Sequence, residues 1–555
     1  MKPVAANSSS AAASAQAALK RQHQQAHRRN NTVFTSLSVL VAVAIAGLAL
    51  VLFRSSTDNL ESGSTDQQHQ STHQNDERLA AALRQAYLGT DNAESLFQLL
   101  AHPSQLESTR PGVPLENGVP GSVMLNFTVP VVHWQPSAPF ARTIANHGLP
   151  VVLRHSVVDT WPARTSWTPS YLEGAIKRLR GIYRNDNNRF FGPYYDPSRA
   201  LAQLGLTRPI NPYADDVQMT STEFFQIITK PIQAGQPAYY FSGESTKLGA
   251  TVFRDTQPMQ ELFSLRPERS SVNVWLGPAG AVTPGHYDGY HNFFTQLRGR
   301  KRFVLFPPSD WDRVGVFPFL HPNHAQCRAN LSSPDVALFP ELHQATGLVV
   351  VLEPGDMLYL PPLWFHMVES LEMSFSVNVW TDSDETEVME RVFGVDLPHV
   401  LLETKQSSSA EPALRISLVI QRLLGELFAQ STGRNVASTS RAKAAHSFLD
   451  RLYNVRYKHL YDSKQLPAAD YDWQTNPSSC SFAEKAAVER AQKLVSSNKA
   501  VSQFVNAQLQ ALLQLPSMSL ELWLGNYVEF LAATAVGPAN AGHFMRDIRD
   551  CIPWE

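Results

Sequence analysis

The sequence predicts a mainly β fold with added α: a two-sheet jelly roll, or double-stranded β-helix, with flanking helices, a helical C-terminal region and one N-terminal transmembrane helix. Three observations carry this expectation. From about Pro130 to Trp380 short apolar runs such as Pro150-Val151-Val152-Leu153 and Leu358-Tyr359-Leu360 alternate with Pro/Gly turns and a few helical stretches such as Pro169 to Leu179. Many short strands separated in this way suit a sandwich of two sheets. Beyond Asp384 the apolar period becomes helical, and Val33 to Phe53 is a run of 21 residues without a charge.

The segments follow in chain order. Residues 1–32 hold Lys2, Lys20, Arg21, Arg28 and Arg29 but no acid, whereas Asp58, Glu61 and Asp66 follow the apolar run. Residues 33–53 have about the length that crosses a ~30 Å hydrocarbon layer. The charge asymmetry predicts a cytosolic basic tail and a single-pass type II membrane protein whose larger part lies in the endoplasmic reticulum or Golgi lumen. A cleaved secretory signal, a mitochondrial membrane destination and a buried core helix remain alternatives. Residues 54–77 are polar enough to stay a flexible stalk. Residues 78–129 read as a helix, with Leu79, Leu83, Tyr87, Leu96, Leu99 and Leu100 on its apolar side, followed by a Pro-rich linker. Residues 130–385 are the jelly roll. In residues 386–555, Ile416, Leu418, Val419, Leu423, Leu424, Leu427 and Phe428 form one helical stripe and Val501, Phe504, Val505, Leu509, Leu512 and Leu513 another. Such stripes pack on the parent domain or build a dimer.

Composition sets bounds. A length of 555 residues allows one large domain with appendages, and a net charge of −2 gives no electrostatic argument for nucleic acid. Cys327, Cys480 and Cys551 are too few for a disulfide framework, although one bridge stays open. Asn126-Phe127-Thr128 and Asn330-Leu331-Ser332 are glycosylation sequons on the expected lumenal side. His321, His324 and Cys327 form no regular zinc spacing, because Pro322 interrupts them and a fourth ligand is missing.

His286-Tyr287-Asp288, with His366 eighty residues on, is the constellation that carries chemistry. Two imidazoles and one carboxylate hold a non-haem Fe(II) by one face and leave the opposite positions open. On a strand, residues i and i+2 share a face, so His286 and Asp288 can reach one ion while Tyr287 points away. A lone His-x-Asp is common in a chain with 18 histidines, so the neighbours decide. Asn292 to Pro308 looks like two apolar strands joined through Gly299, a hairpin signal. Lys301 opens the return strand. If that strand lines the pocket, its ammonium is buried among Phe side chains and needs an anionic partner, which a dicarboxylate would supply. Otherwise Lys301 is one more solvated turn charge beside Arg298, Arg300 and Arg302.

Thr283-Pro284-Gly285-His286-Tyr287-Asp288, Asn292-Phe293-Phe294, Gln296, Lys301-Arg302, Leu305-Phe306-Pro307-Pro308, Pro354-Gly355-Asp356, Trp364, His366, Asn378 and Trp380 resemble the cupin-type JmjC Fe(II)/2-oxoglutarate hydroxylases. The similarity extends to the family's asparaginyl hydroxylase that inhibits hypoxia-inducible factor. It is specific from Trp275 to Trp380 and general from Pro130 to Trp275. The resemblance implies Fe(II), 2-oxoglutarate as cosubstrate and O₂. It implies that His286, Asp288 and His366 are the catalytic metal ligands, that Lys301, Thr283 and either Tyr239 or Tyr240 hold the far carboxylate, and that Asn292 and Asn378 lie near its metal-binding end. Phe294 takes a wall position, and Gln326 and Trp380 are substrate candidates. A dimer through helices after the barrel is also implied, although from about Ser431 the chain has no counterpart in that family.

The expected activity is a membrane-anchored dioxygenase that hydroxylates protein side chains. A small-molecule or lipid hydroxylase would share the chemistry, and a non-catalytic membrane-tethered cupin is the non-enzyme alternative. A demethylase fits less well if an anchor separates the site from chromatin.

Overall fold

The computed structural model describes residues 125–129, 131–132, 138–154, 157–192, 195–203, 206, 214–403, 410–431, 438–467 and 485–551. The expected basic tail, the Val33–Phe53 span, the stalk and the helix over Leu79–Leu100 lie outside these residues. No helix among the described residues is long and apolar enough to cross a membrane. The expectation of a type II membrane protein with a lumenal domain, and its mitochondrial alternative, is corrected on that finding.

Among the described residues, strands numbered β1 to β14 in chain order form two sheets. The first runs β1 (Leu125–Thr128), β11 (Thr346–Leu352), β10 (Lys301–Phe306), β13 (Phe365–Ser370) and β8 (Val282–His286). The second begins with β2 (Val131–Val132), β3 (Val151–Leu153), β12 (Met357–Leu360), β9 (Tyr290–Arg298) and β14 (Ser374–Asp382). It continues through β7 (Ser270–Gly277), β6 (Ala238–Glu244), β4 (Arg178–Asn185) and β5 (Asp215–Thr220). Pairing is antiparallel except for β1 on β11 and β2 on β3. Leu125–Thr128, placed in the linker by the sequence, is thus a strand of the first sheet.

The sheets close on a common core. Val152, Phe294, Leu358 and Leu360 from one meet Phe303, Leu305, Leu348, Val350 and Leu352 from the other, with Trp364 between them. Alternation of such residues with outward ones drives burial at about 25 cal/mol per Å² of apolar surface. The hairpin expected across Gly299 is not one. β9 pairs with β12 and β14, whereas β10 pairs with β11 and β13, so Gly299-Arg300 carries the chain from one sheet to the other. Gly299 has φ +67°, and a Cβ there would lie 2.2 Å from the carbonyl oxygen of Met373, which leaves only glycine for this corner.

A second corner, between β11 and β12, is held by Arg154. Its Nε and Nη2 donate to both carboxylate oxygens of Asp356 at 2.8 and 2.7 Å. Asp356 also accepts from the backbone N–H of Glu353.

The C-terminal stripes are covered within the chain. Ile416, Val419, Leu423, Leu424 and Leu427 of the helix Ala410–Ser431, and Val501, Val505, Leu509 and Leu512 of the helix Lys499–Leu512, are buried. These faces are therefore not available to a second copy, and the expected homodimer through them has no support. The helix Ser517–Val536 is buried along most of its length.

Arg154→Ala should cost roughly 1–3 kcal/mol, because it leaves the buried Asp356 carboxylate short of two charge-assisted hydrogen bonds while the half-exposed arginine tempers the loss. Urea unfolding of the two proteins checks this.

Candidate metal centre and cosubstrate pocket

β8 ends at His286, which pairs directly with His366 of β13. Asp288 lies beyond the strand, in the corner that leads from the first sheet into β9 of the second. The ligands thus converge at a sheet-to-sheet corner, not on one face of a continuous strand as the spacing suggested. Tyr287 nevertheless turns away, packing edge-on to Phe365 with ring centroids 5.4 Å apart.

Backbone contacts fix the corner. The Tyr287 N–H donates to the Ala325 carbonyl at 3.0 Å, and the Leu363 N–H donates to the Asp288 carbonyl at 2.7 Å. Ala325 and Leu363 have φ of 65° and 67°. Non-glycine residues in this region are strained and persist where surroundings over-determine them. Here both strained residues touch the ligand motif. Thr386 Oγ1 donates to the Gly289 carbonyl at 2.7 Å, and a Cβ on Gly289 would lie 2.7 Å from that hydroxyl.

His286, Asp288 and His366 are each 5% exposed, and one ligand atom from each lies within 4.8 Å of the others. His366 Nε2 is 3.6 Å from Asp288 Oδ2, and His286 Nε2 is 4.0 Å from Oδ1. Nδ1 of His286 contacts the Pro284 carbonyl at 2.8 Å, and Nδ1 of His366 contacts the Trp364 carbonyl at 3.0 Å. A carbonyl only accepts, so Nδ1 carries the proton in both rings and Nε2 presents a lone pair. Burial, reinforced by His366, holds His286 down to about 4, which keeps the ring neutral at pH 7. Two imidazole Nε2 atoms and a carboxylate, gathered within 4.8 Å and oriented by backbone acceptors, are a donor set that fits a divalent cation.

The second part of the site lies deeper between the sheets. Lys301 is 1% exposed, its Nζ 3.1 Å from the Tyr240 hydroxyl and over the rings of Phe294 and Tyr240 at 5.3 and 5.5 Å. It is not a solvated turn charge. Burial lowers its pKa from 10.5 to about 7. Thr283 hydrogen-bonds the Tyr240 hydroxyl. Of the two candidate tyrosines, Tyr240 faces the lysine, and Tyr239, next along the strand, is half-buried on the other face.

Between the two parts runs a chain of amides. Trp275 Nε1 donates to Asn378 Oδ1 at 2.7 Å, and Asn378 Nδ2 donates to Asn292 Oδ1 at 2.9 Å. Phe294 closes against Phe303, centroids 5.0 Å apart. Gln326 is fully buried and bridged through its backbone to His286. Trp380 is half-buried, edge-on to Trp275 at 5.7 Å and stacked on Tyr290 at 5.4 Å.

Sequence reasoning missed Trp275, Tyr290, Ala325 and Leu363. Trp275 and Tyr290 could have been found from strand alternation, since Tyr290, Asn292 and Phe294 share a face. The other two carry no signal, because nothing in an alanine or leucine announces a positive φ.

Two sheets with a two-histidine, one-carboxylate cluster at their corner, together with a buried lysine, make a jelly roll whose corner could hold a divalent metal ion. Residues 136–387 match a family model described as a cupin-like domain. The chain is 41% identical over 160 residues to Jumonji C domain-containing protein 5 of Drosophila melanogaster, covering 27% of this chain and 38% of that protein. It is 38% identical over 269 residues to lysine-specific demethylase JMJ30 of Arabidopsis thaliana, covering 44% and 52%. Over 258 residues it is 37% identical to HSPB1-associated protein 1 of Homo sapiens, covering 42% and 48%. The chain thus spans about half or less of the length of these relatives. Residues 136–387 thus form a cupin-like domain, over which the chain is similar to proteins named for a Jumonji C domain and for lysine-specific demethylation.

Asp288→Ala should weaken Co(II) binding by more than about 100-fold while the fold persists, since a ligand is lost outright and not merely an outer partner. Visible absorption of the Co(II) protein and its circular dichroism check the two halves.

Proposed function

We propose that this chain is an Fe(II)- and 2-oxoglutarate-dependent oxygenase that hydroxylates protein side chains, with residues 130–385 as its catalytic domain. The observation that supports it best is that the two histidines of a candidate metal-ligand triad and a buried lysine, with no acid against it among the described residues, stand on one sheet, Lys301 sharing a strand face with Leu305, the partner of His366. His286, Asp288 and His366 would hold Fe(II). Lys301 Nζ would pair with the far carboxylate of 2-oxoglutarate while Tyr240 and Thr283 supply hydroxyl donors, and Asn292 and Asn378 would present amides near its other end. Bound Fe(II) would supply O₂ activation coupled to oxidative decarboxylation of 2-oxoglutarate to succinate and CO₂.

The protein's own share is orientation and exclusion of water. The Nδ1 hydrogen bonds keep both imidazoles aimed, the Trp275-Asn378-Asn292 chain fixes the amide directions, and Phe294 and Phe303 keep solvent from the lysine. Trp380 and Tyr290 form an aromatic wall that a substrate would meet. A protein substrate is favoured because relatives include proteins named lysine-specific demethylases. Hydroxylation of an N-methyl carbon and of a side-chain carbon are the same C–H chemistry.

Incubation with Fe(II), ascorbate, 2-oxoglutarate and candidate proteins should give succinate together with a peptide mass gain of one oxygen, or loss of a methylene from methyl-lysine. Succinate formation by His286→Ala at the wild-type rate would exclude the metal reading.

Lys301 makes a second prediction. In the free pocket it loses its proton above about pH 7, and a bound carboxylate must raise that value. Binding therefore takes up a proton, and 2-oxoglutarate affinity should fall by up to about tenfold per pH unit from pH 7 toward the pKa of the complex. Calorimetry in buffers of different ionisation enthalpy reads the uptake directly, and Lys301→Met should abolish it.

A further inference from the structure

We infer that Glu529, in the buried helix Ser517–Val536, is a positioning residue for the metal centre, acting on the chain segment that backs His286. The inference rests on the triad as a metal site. Glu529 is fully buried and its carboxylate accepts from the backbone N–H of Phe319 at 2.8 Å, from the Tyr457 hydroxyl at 2.8 Å and from Arg456 Nη1 at 2.5 Å. Phe319 opens a short run that ends against the ligand motif. Two backbone hydrogen bonds fasten that end, from the Tyr287 N–H to the Ala325 carbonyl and from the Cys327 N–H to the Gly285 carbonyl at 2.7 Å, and together they make the antiparallel bridge between Gln326 and His286. Residues 319–327 are thus held by Glu529 at one end and by residues 285–287 at the other.

The same helix reaches the motif a second time. Asn526 Oδ1 accepts from Arg456 Nη1 at 2.8 Å, which turns its Nδ2 toward the Tyr287 hydroxyl, 3.5 Å away. Tyr287 stands between two ligands. Arg199 fixes Phe319 from the barrel side, donating to its carbonyl at 3.2 Å with the guanidinium 4.7 Å over its ring. Arg456 and Glu529 are both 0% exposed. A buried ion pair is a poor source of stability, because desolvation offsets its attraction and apolar residues of similar volume do as well. What apolar residues cannot supply is an acceptor for the Phe319 N–H and a fixed direction for the Asn526 amide.

The test uses the full chain, Co(II) titrated by its visible bands, and the Tm measured without metal. Glu529→Gln should weaken Co(II) binding by about tenfold and alter its spectrum, as loss of an outer partner does. The double variant Arg456→Met with Glu529→Met should regain thermal stability yet remain weak for Co(II), and it carries the test if the single variant fails to fold. Glu521→Gln lies on the same helix and breaks the ion pair with the part-exposed Arg451; it should leave affinity within about twofold. Wild-type affinity in Glu529→Gln, recovery of Co(II) affinity along with Tm in the double variant, or equal weakening by Glu521→Gln would each overturn the inference and leave Glu529 a structural staple. A folded wild-type chain that does not take up Co(II) would remove the metal reading itself, and this inference with it.

Discussion

The direct pairing of His286 with His366 across β8 and β13 is the constraint on which the site depends. A strand pair fixes which side chains stand opposite one another, and a slip of β8 by one residue would turn His286 to the other face, away from His366. The strand then stops, and the corner into the second sheet brings Asp288 alongside. Ligand geometry is therefore a by-product of where one sheet ends and the other begins. This explains why strained residues gather at the corner. Ala325 accepts a backbone hydrogen bond from the motif and Leu363 donates one to it, each from a conformation that costs energy, and the sheets on either side hold them there.

Lys301 shows how the same architecture makes the pocket polar. β10 begins immediately after the Gly299 crossover, so its first residue enters the space between the sheets with Tyr240 and Phe294 against it. The free pocket lowers the lysine's proton affinity, and a dicarboxylate would reverse this. Selectivity for an anionic ligand would then come from an energetic deficit in the site, since a buried cation with no counter-charge among the described residues is worth correcting.

Much of this was legible in the sequence because it rests on local pattern. Alternating apolar runs gave the strands, and three candidate ligands at unequal separation, with a lysine after a turn, suggested the pocket. Topology was not legible. Gly299 between two apolar strands reads as a hairpin by every local rule, and only the pairing of each strand with partners far along the chain shows it to be a crossover. The tyrosine ambiguity had the same source, since Tyr239 and Tyr240 differ only in the face they present. The helical stripes were read correctly as apolar, but their partners lie in the chain itself, and a stripe does not say what covers it.

The helix Ser517–Val536 carries this point furthest. Its sequence reads as apolar with scattered polar residues, and Asn526 and Glu529 could pass for its wet face. Both are buried. Their polarity is consumed by Arg456, Tyr457 and the backbone of Phe319, none of which is near them in sequence. A charged residue within an apolar helix is expensive unless a partner waits in the folded state. Its presence is thus information about a distant contact, and here that contact leads through nine residues of chain, 319–327, to the His286-Tyr287-Asp288 motif.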